Sequence, residues 1–560
     1  LAYHKANNNF YADDLTFARA STGTIVNSDG LIEQVPYNLI EQSNDFDTTW
    51  GVNGTSVTSG QSGYNGSNDA WLLSKTGSNK FVYQTTTFLG IQTISIYAKA
   101  GSLNWFYINC GGGVYGCYFD ISNGVKGSNI GNAISSKITD VGGGWYRCEV
   151  SGTYNGSTSF RVYPAEANND TSGTSGNIYI QDAQLNSGST AKTYYPTTTR
   201  LNIPRVDYLN NANGSLLLES QRTNLITQSE AFDNAYWTKT GSSVVSGTTS
   251  PDGTANAFKF VEDTSTGTHF ANVTNIFTAD GSLRAWSLFV KEGERRYIFL
   301  TNVTTINNDI NCVVFDTRNG VFTNTNDPTY IVTRNVQALE NGWYRIDFTS
   351  AINSNAYDNF YVGISSTSTM SGASYQGDGT SGIYIYGAQL ELGSYSTSYI
   401  PTSGTTVTRV PDTSATTGLS DVIGQTEGTI FVDVDSSQFS SGSYISISNG
   451  TTNTRQIFGF EGGGNTGALR LYGFWNGFSY GNFAKGEKIK IALAYKNNDF
   501  ALYVNGTQAG TNTGATISGT LSQFAFNSGD NAQNYQGNVY QAQLYKTRLT
   551  NAELATLTTI

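Results

Sequence analysis

The stretch that decides the fold is Asn38-Leu39-Ile40-Glu41-Gln42-Ser43, with Trp50 shortly after it. It returns as Asn224-Leu225-Ile226-Thr227-Gln228-Ser229, again with a tryptophan, Trp237, shortly after it. Later matches keep the same order, for example Gly144-Trp145-Tyr146-Arg147 with Gly342-Trp343-Tyr344-Arg345, and Ala183-Gln184-Leu185 with Ala388-Gln389-Leu390. Ordered self-similarity of this kind indicates tandem copies of one structural unit. Both copies are therefore predicted to share one fold.

Within each copy, apolar and polar residues alternate, as in residues 93–98 and 360–364. This is the period of a half-buried strand, and Asn-Gly pairs and glycine-rich stretches between the segments favour tight turns. The pattern predicts an all-β protein, with two tandem jelly-roll sandwich repeats followed by a different C-terminal sandwich.

The predicted boundaries are a lead-in (1–35), jelly-roll module 1 (36–199), a connector (200–222), jelly-roll module 2 (223–403), a Thr/Ser/Gly-rich linker (404–425) and a C-terminal module (426–560). Asn505-Gly506 is a hairpin signal. Residues 549–554 predict a short terminal helix, with Thr550 or Asn551 as its cap.

The composition excludes several classes of function. A net charge of -11, with 31 basic residues that form no run, offers no surface for phosphate backbones or anionic membranes. No stretch of about 18 apolar residues could span a bilayer. The four cysteines are too few for a disulfide scaffold in 560 residues, so buried free thiols are expected. Neither nucleic acid nor membrane insertion is predicted.

Residues for catalysis are scarce. The two histidines, His4 and His269, give no material for a His-based triad or a multi-histidine metal site, and both are interpreted as surface residues. A nucleotide-binding fingerprint is absent, and residues 426–560 contain no Glu-x-Asp-x-x-Glu cluster. The protein is therefore predicted to be no enzyme and to need no cofactor. Calcium is the one alternative, with Asp433, Asp435 and Asp530 as its candidate ligands.

Ligand binding is the kind of function that remains. Sugars stack on accessible aromatic rings, so clusters of aromatic residues are candidate sugar-binding sites. The richest aromatic cluster lies in the C-terminal module and comprises Tyr472, Phe474, Trp475, Phe478 and Tyr480, with Asn476 among them as a further binding candidate. Trp105 with Tyr107, and Tyr115 with Tyr118, form a second candidate in module 1. The alternative for both groups is packing in a core or at a subunit contact.

The motifs also carry resemblances to known families. Residues 426–560 resemble the laminin-G-like, concanavalin-like lectin sandwich through residues 489–495, 500–506 and 537–554. The repeats resemble carbohydrate-binding-module-like jelly rolls of bacteriophage tail, fibre and head-decoration proteins, through residues 222–226, 342–345 and 387–402. Residues 17–24 look like a phage-associated lead-in that usually continues into residues 204–208. Residues 10–35 and 200–222 are therefore expected to meet in space.

These resemblances imply a phage virion protein, a fibre or decoration subunit at the virion surface or outside the cell, that binds host or environmental glycans. Its implied partners are other virion proteins and surface glycans, in a homo-oligomer for which a trimer would suit a fibre. One alternative is a purely structural virion cement or scaffold with no sugar binding. Another is a secreted bacterial adhesin, or the binding part of a polysaccharide-degrading enzyme.

Overall fold

The computed structural model describes residues 2–3, 10–11, 16–19, 21–35, 38–88, 91–198, 204–209, 211–278, 281–302, 312–323, 331–351, 357–436, 442–463 and 466–560. Nearly all regular structure in these residues is antiparallel strand, so the all-β prediction is confirmed. The chain divides into two compact units, Gln34–Leu201 and Leu1–Glu33 with Asn202–Ile560. No helix in the described ranges is long and apolar enough to cross a membrane.

The lead-in forms short strands, and module 1 follows with longer ones. The lead-in strands are β1 (Ala2–Tyr3), β2 (Phe10–Tyr11), β3 (Thr16–Ala18), β4 (Gly23–Val26) and β5 (Ile32–Val35). The strands of module 1 are β6 (Gly51–Asn53), β7 (Thr55–Gln61), β8 (Ala70–Lys75), β9 (Phe81–Phe88), β10 (Ile91–Ala100), β11 (Trp105–Cys110), β12 (Tyr115–Asp120), β13 (Val125–Gly131), β14 (Ala133–Gly142), β15 (Trp145–Thr153), β16 (Gly156–Ala165) and β17 (Gly176–Ser187).

Module 1 is a sandwich of two six-stranded sheets, ordered β14-β15-β10-β17-β8-β7 and β13-β12-β11-β16-β9-β6. Alternate side chains of the central strands point into one core, which contains Phe106, Ile108, Phe160 and Val162. The opposite side chains of the same strands therefore form the outer face of the sheet.

The connector and module 2 come next along the chain. The connector strands are β18 (Val206–Asp207), β19 (Ser215–Leu218) and β20 (Arg222–Asn224). The strands of module 2 are β21 (Thr238–Thr240), β22 (Ser242–Thr248), β23 (Ala257–Glu262), β24 (Thr266–Thr278), β25 (Leu283–Lys291), β26 (Tyr297–Thr301), β27 (Cys312–Asp316), β28 (Val321–Phe322), β29 (Ile331–Ala338), β30 (Trp343–Ala351), β31 (Tyr357–Ser365), β32 (Ser374–Gln376) and β33 (Gly382–Leu392). Single 3-10 turns lie at Glu340–Gly342 and Met370–Gly372.

Module 2 repeats the sandwich of module 1, with sheets ordered β22-β23-β33-β25-β30-β29 and β21-β24-β31-β26-β27-β28. Trp145 and Trp343 begin corresponding strands and are both buried. The guanidinium carbons of Arg147 and Arg345 lie 5.5 and 5.4 Å from the ring centroids of Tyr97 and Phe289. One sequence pattern thus gives the same packing twice.

The remaining strands build the C-terminal sandwich. They are β34 (Val407–Arg409), β35 (Thr413–Thr417), β36 (Glu427–Asp435), β37 (Ser443–Ser448), β38 (Arg455–Gly463), β39 (Thr466–Gly473), β40 (Phe478–Ala484), β41 (Lys488–Lys496), β42 (Phe500–Val504), β43 (Thr507–Asn512), β44 (Gln523–Ala525) and β45 (Gly537–Tyr545), followed by helix α1 (Asn551–Thr558). The predicted terminal helix is confirmed, since Thr550 caps α1 in a capping box with Glu553.

This sandwich is not confined to residues 426–560. One of its sheets is ordered β18-β19-β45-β36-β41-β42-β43, and the other is β3-β35-β44-β37-β38-β39-β40. Strands from the lead-in, the connector and the expected linker therefore pair directly with the C-terminal strands. Phe17, Leu216 and Leu218 lie in its hydrophobic core. The domain boundary at residue 426 is corrected accordingly.

The prediction that residues 404–425 form a linker is also corrected, because these residues contribute strands to two sheets. Strand β34 pairs with β20, and β35 lies between β3 and β44. The side chains of Arg409 and Asp412 are buried. A Thr/Ser/Gly-rich composition resembles that of a linker, but here the backbone donors and acceptors complete a sheet.

The lead-in and connector segments that were expected to meet do hydrogen-bond to each other. The backbone amide of Val26 donates to Asp207 Oδ2 at 3.0 Å, and Arg205 Nη1 donates to the carbonyl of Thr24 at 3.2 Å. The amide of Tyr208 also donates to the carbonyl of Val26 at 2.8 Å. These bonds join two segments that module 1 separates in sequence.

A buried ionic cluster lies where these segments join, and it consists of Arg19, Arg205, Glu219, Arg409 and Asp412. Asp412 Oδ1 is 2.9 Å from Arg19 Nη1, and its Oδ2 pairs with Arg205. Glu219 Oε2 lies 2.7 Å from Arg205 Nη1 and 2.9 Å from Arg409 Nη1. These positive charges hold the pKa of Glu219 well below its usual range, although burial alone would raise it.

Two predictions about isolated residues have opposite outcomes. All four cysteines are free and buried, as expected, and burial raises the pKa of Cys110 to about 12. His269 was interpreted as a surface residue, and this is wrong. Its ring is fully buried, with Nδ1 2.5 Å from the Gly241 carbonyl and Nε2 3.2 Å from the Tyr375 carbonyl. His4 lies outside the described residues.

Candidate functional site: an aromatic face of module 1

The outer face of the sheet β13-β12-β11-β16-β9-β6 carries an unusual concentration of aromatic side chains. We call it the aromatic face, and its members are Phe81, Tyr83, Trp105, Tyr107, Tyr118 and Tyr163. The strand register brings them together, because Tyr107 is paired with Tyr118 on β12 and with Tyr163 on β16. A layer of rings on the outer side of a sheet contributes nothing to the core that the other side forms.

The rings of this face pack against one another. Tyr107 and Tyr118 are stacked, with centroids 4.3 Å apart and planes 8° from parallel. Tyr163 lies 5.4 Å from Tyr107 and 4.6 Å from Phe81 between ring centroids. Each of the three tyrosines is 8% exposed, whereas Phe81 and Trp105 are half-buried. The tyrosines thus form a fixed floor, and the accessible rings lie around it.

Tyr83 is the ring at the edge of this floor, and its position depends on a glycine. Gly51 on the edge strand β6 pairs with Tyr83, and a Cβ on Gly51 would lie 2.5 Å from Tyr83 Cζ. Only a residue without a side chain lets the ring lie across this strand. Tyr83 is half-buried, like Phe81 and Trp105, and its centroid is 5.6 Å from that of Phe81.

A shallow depression adjoins Tyr83 and is lined by Glu41, Thr49, Gly51, Tyr83, Gln84 and Thr85. Gln84 fixes its wall, because Gln84 Oε1 accepts from the Glu41 amide at 2.7 Å and Nε2 donates to the Glu41 carbonyl at 2.7 Å. Gln84 Nε2 also donates to Thr49 Oγ1 at 2.9 Å. The depression therefore presents one aromatic ring, two hydroxyls and a carboxylate on a frame that the Gln84 amide holds rigid, a combination suited to a polyhydroxylated ligand.

Arg161 lies on the same face, between the floor and Tyr83. Its Nε donates to Ser159 Oγ at 2.7 Å, and its Nη1 is 3.5 Å from the Tyr163 hydroxyl. The guanidinium carbon lies 4.8 Å from the centroid of Phe81. The register pairs Arg161 with Asn109 on one side and Tyr83 on the other.

Module 2 has the same sheet but not the same site. The register places Phe299, Val314 and Gly363 where module 1 has Tyr107, Tyr118 and Tyr163. Met370 and Ala373 cover this face, and both are buried with Phe299 and Val314 in one cluster. The pairing of Thr238 with Asn272 replaces that of Gly51 with Tyr83. In module 2 the outer face of this sheet is thus covered by side chains of module 2 itself.

The residues predicted as a sugar platform in the C-terminal module are arranged differently from the expectation. Trp475 is 4% exposed and lies in the hydrophobic core, with its ring centroid 4.8 Å from that of Phe478 and 6.4 Å from that of Phe500. Phe478 and Tyr480 also pack against that core. Only Asn476 is exposed. The prediction of an open platform is therefore corrected for Trp475, whose burial completes the apolar interior.

Tyr472 does face outward, as part of a smaller group on the C-terminal sandwich. Its hydroxyl donates to Glu461 Oε2 at 2.7 Å, and the hydroxyl of Tyr444 donates to the same carboxylate. Arg470 Nε is 3.5 Å from Glu461 Oε2. These groups thus satisfy much of one another's hydrogen-bonding capacity.

The proposed calcium ligands are each held by groups of the protein. Asp435 Oδ2 accepts from the Tyr540 hydroxyl at 2.7 Å, and Asp433 Oδ2 is 3.3 Å from Lys488 Nζ. Asp530 accepts from Ser528 and from the amide of Ala532. Among the described residues, no group of three or more His, Cys, Asp or Glu side chains could hold a metal ion. Calcium binding at these residues stays a prediction.

Sequence reasoning found Trp105 and Tyr107 but missed the groups that complete the site. Tyr83, Gly51 and Arg161 come from separate parts of the sequence, and the sheet register brings them together. Glu41 is positioned instead by its backbone hydrogen bonds with the Gln84 side chain. One signal was available, since Phe81-Val82-Tyr83 alternates two aromatic residues around a core valine.

Comparisons with known proteins give low similarity throughout. No family model and no curated protein matches the chain. Among solved structures, the tandem CBM22-1–CBM22-2 domain of Paenibacillus barcinonensis Xyn10C is 14% identical, covers 64% of this chain and 98% of its own, and has a TM-score of 0.20. The Ruminococcus gnavus IT-sialidase CBM40, bound to α2,6 sialyllactose, is 19% identical over 25% of this chain and 91% of its own, with a TM-score of 0.20. Trypanosoma rangeli sialidase is 10% identical over 97% of this chain and 98% of its own, with a TM-score of 0.22. None of these similarities is close enough to assign a function.

Proposed function

We propose that this protein binds glycans, without catalysis, through the aromatic face and the adjoining depression of module 1. The observation that carries the proposal is the half-buried ring of Tyr83, which lies across Gly51 beside hydroxyl and carboxylate groups. A pyranose ring can stack its apolar face on such a ring while its hydroxyls reach the polar wall.

The rigidity of the site supports this proposal. The hydrogen bonds of Gln84 hold Glu41 and Thr49 in place before a ligand arrives, and the packed tyrosines fix the floor. A preorganised site loses little conformational entropy on binding, which matters for a ligand as weakly bound as a single sugar. Several such sites on one oligomer would add avidity.

The test is glycan binding by the full chain and by two variants, measured on a glycan array and then by titration calorimetry. Truncation of a central aromatic anchor typically costs about 2 kcal/mol or more, so Tyr83→Ala should weaken binding by about 30-fold or more. Tyr472→Ala is the matched control, because it removes the same ring from the C-terminal sandwich. Loss of binding in Tyr472→Ala with retention in Tyr83→Ala would contradict the proposal.

A scaffold role is the second candidate, and specific observations favour it for the rest of the chain. The corresponding face of module 2 is filled by Met370, and the C-terminal sandwich shares strands with the lead-in and the connector. These parts of the chain would then present module 1 rather than bind sugars themselves. A folded protein with no affinity for any glycan would leave this scaffold role as the better account.

We further propose that the protein works on a virion surface, as a fibre or decoration subunit in contact with other virion proteins. The lead-in and repeat motifs of the sequence support this setting, and a homo-oligomer, such as a trimer, would supply the avidity. Mass photometry of the full chain tests the oligomer, for which a monomer at micromolar concentration is the contrary result. A bacterial adhesin, or the binding part of a polysaccharide-degrading enzyme, would use the same site in another setting.

A further inference from the structure

We propose that the binding site of module 1 selects acidic sugars, with Arg161 as the group that binds the sugar carboxylate. This inference rests on the proposed glycan binding and names the chemical class of its ligand. It follows from the position of one cation on the aromatic face, from the groups around it, and from its loss in module 2.

Arg161 is placed as a receptor for an anion. Its guanidinium lies over the ring of Phe81 and is oriented by Ser159 and the Tyr163 hydroxyl, both of which are neutral acceptors. Within the described part of module 1, no carboxylate forms an ion pair with it. A half-buried guanidinium with a fixed plane and no anionic partner matches the two oxygens of a carboxylate.

The neighbouring loop keeps the guanidinium accessible. Gly111, Gly112 and Gly113 all have positive φ, at 61°, 71° and 111°, and a Cβ on Gly112 would lie 2.9 Å from Arg161 Nη1. The glycines therefore let the chain pass close to Arg161 without placing a side chain over it.

The charges around Tyr83 give a bound sugar one orientation. Arg161 is the cross-strand partner of Tyr83 on β16, whereas Glu41 lines the depression next to Tyr83. A sugar stacked on Tyr83 would direct its carboxylate towards Arg161 and its hydroxyl donors towards Glu41. The net charge of -11 disfavours an acidic polymer at long range. The selectivity must therefore come from the short-range contact, which salt screens less.

Module 2 shows what the same fold contains without this function. The register places Tyr361 where module 1 has Arg161, because Tyr361 pairs with Thr301 as Arg161 pairs with Asn109. The charge, the tyrosine floor and the accessible edge ring are all lost together. A cation kept only in the copy with an open face is expected of a ligand-binding group rather than of a structural one.

The experiment compares glycans that differ only in charge. Oligogalacturonate and its methyl ester share a backbone, and so do oligoglucuronate and the corresponding gluco-oligosaccharide. The full chain should bind the acidic member of at least one pair about 10- to 100-fold more tightly, the range of a charge-assisted hydrogen-bond pair. Arg161→Gln should remove the preference, so that the acidic member and its neutral partner bind with equal affinity.

Two further variants keep the result interpretable. Arg318→Gln removes the same charge from an exposed arginine of module 2 and should leave the preference intact. Arg161→Lys keeps the charge without the planar fork and should restore part of the preference. Thermal melting shows whether each variant is folded.

The outcomes separate the two proposals. Equal binding of acidic and neutral partners, lost in Tyr83→Ala, overturns the role of Arg161 and supports glycan binding. A preference that survives in folded Arg161→Gln also overturns it. Absence of binding to every acidic and neutral glycan on the array overturns the proposed function itself.

Discussion

Replacement of Asp412 by alanine is expected to destabilise the unit that contains module 2 and the C-terminal sandwich. Its carboxylate contacts Arg19 and Arg205, and it also accepts from the Glu219 amide at 2.9 Å. The side chains of Arg19, Arg205 and Asp412 are fully buried. The substitution thus removes the carboxylate that pairs with both Arg19 and Arg205.

The magnitude follows from the burial. Removing one partner of a buried ion pair costs about 3–5 kcal/mol, because an uncompensated charge stays in the interior. With a urea dependence of about 3 kcal/mol per molar, the midpoint should fall by about 1 M or more. Tryptophan fluorescence in urea measures it, and the two compact units are fitted as separate transitions.

The matched control is Asp499→Ala, which removes a carboxylate from an exposed pair. Asp499 Oδ1 lies 2.9 Å from Arg548 Nη2, and its side chain is 55% exposed. Pairs of this kind contribute about 0–1 kcal/mol. If Asp412→Ala unfolds at the same urea concentration as Asp499→Ala, the ionic cluster is not what joins the lead-in, connector and second module.

Three other predictions concern the C-terminal sandwich and module 2. Trp475→Ala should lower the free energy of unfolding by about 3–5 kcal/mol, which is the cost of a cavity in a core. The glycan affinity of the folded molecules should stay the same. Titration calorimetry of the folded fraction checks this, and a loss of affinity there would mean that Trp475 is a sugar platform after all. The isolated segment 426–560 lacks β3, β18, β19 and β35, so it should show faster amide exchange in β44 and β45 than the full chain does, and equal protection would contradict the discontinuous sandwich. Burial and the nearby Asp252 raise the pKa of Glu230 to about 7, so folding disfavours its ionised form. The stability of module 2 should then fall as pH rises from about 4.5 to 7, by on the order of 3 kcal/mol, and Glu230→Gln should remove this slope in melts across that range.

Much of the fold could be predicted because its signals are local. The Asn505-Gly506 turn joins β42 to β43, and both residues have positive φ, at 49° and 79°. The capping box of α1 depends on two residues that are three positions apart. The repeat needs no three-dimensional information, since matching segments of one chain are compared directly.

The side of a strand that becomes the core was less accessible to sequence reasoning. Alternation separates two faces, but both faces of β11 are rich in apolar residues, with Phe106 and Ile108 on one and Trp105 and Tyr107 on the other. The aromatic run around Trp475 looked equally suited to a surface. Its burial depends on β38 and β42, whose residues Gln456 and Phe500 enclose it.

The sequence by itself determined the strand period, the repetition of module 1 in module 2 and the terminal helix, because these depend on residue type and near neighbours. Only the tertiary structure decided that Gly51, Tyr83 and Arg161 share one face, and that residues 16–18 and 413–417 complete the C-terminal sandwich. The physical reason is that pairing between distant strands is set by register and by competition for a shared core, and both appear only when the whole chain is folded.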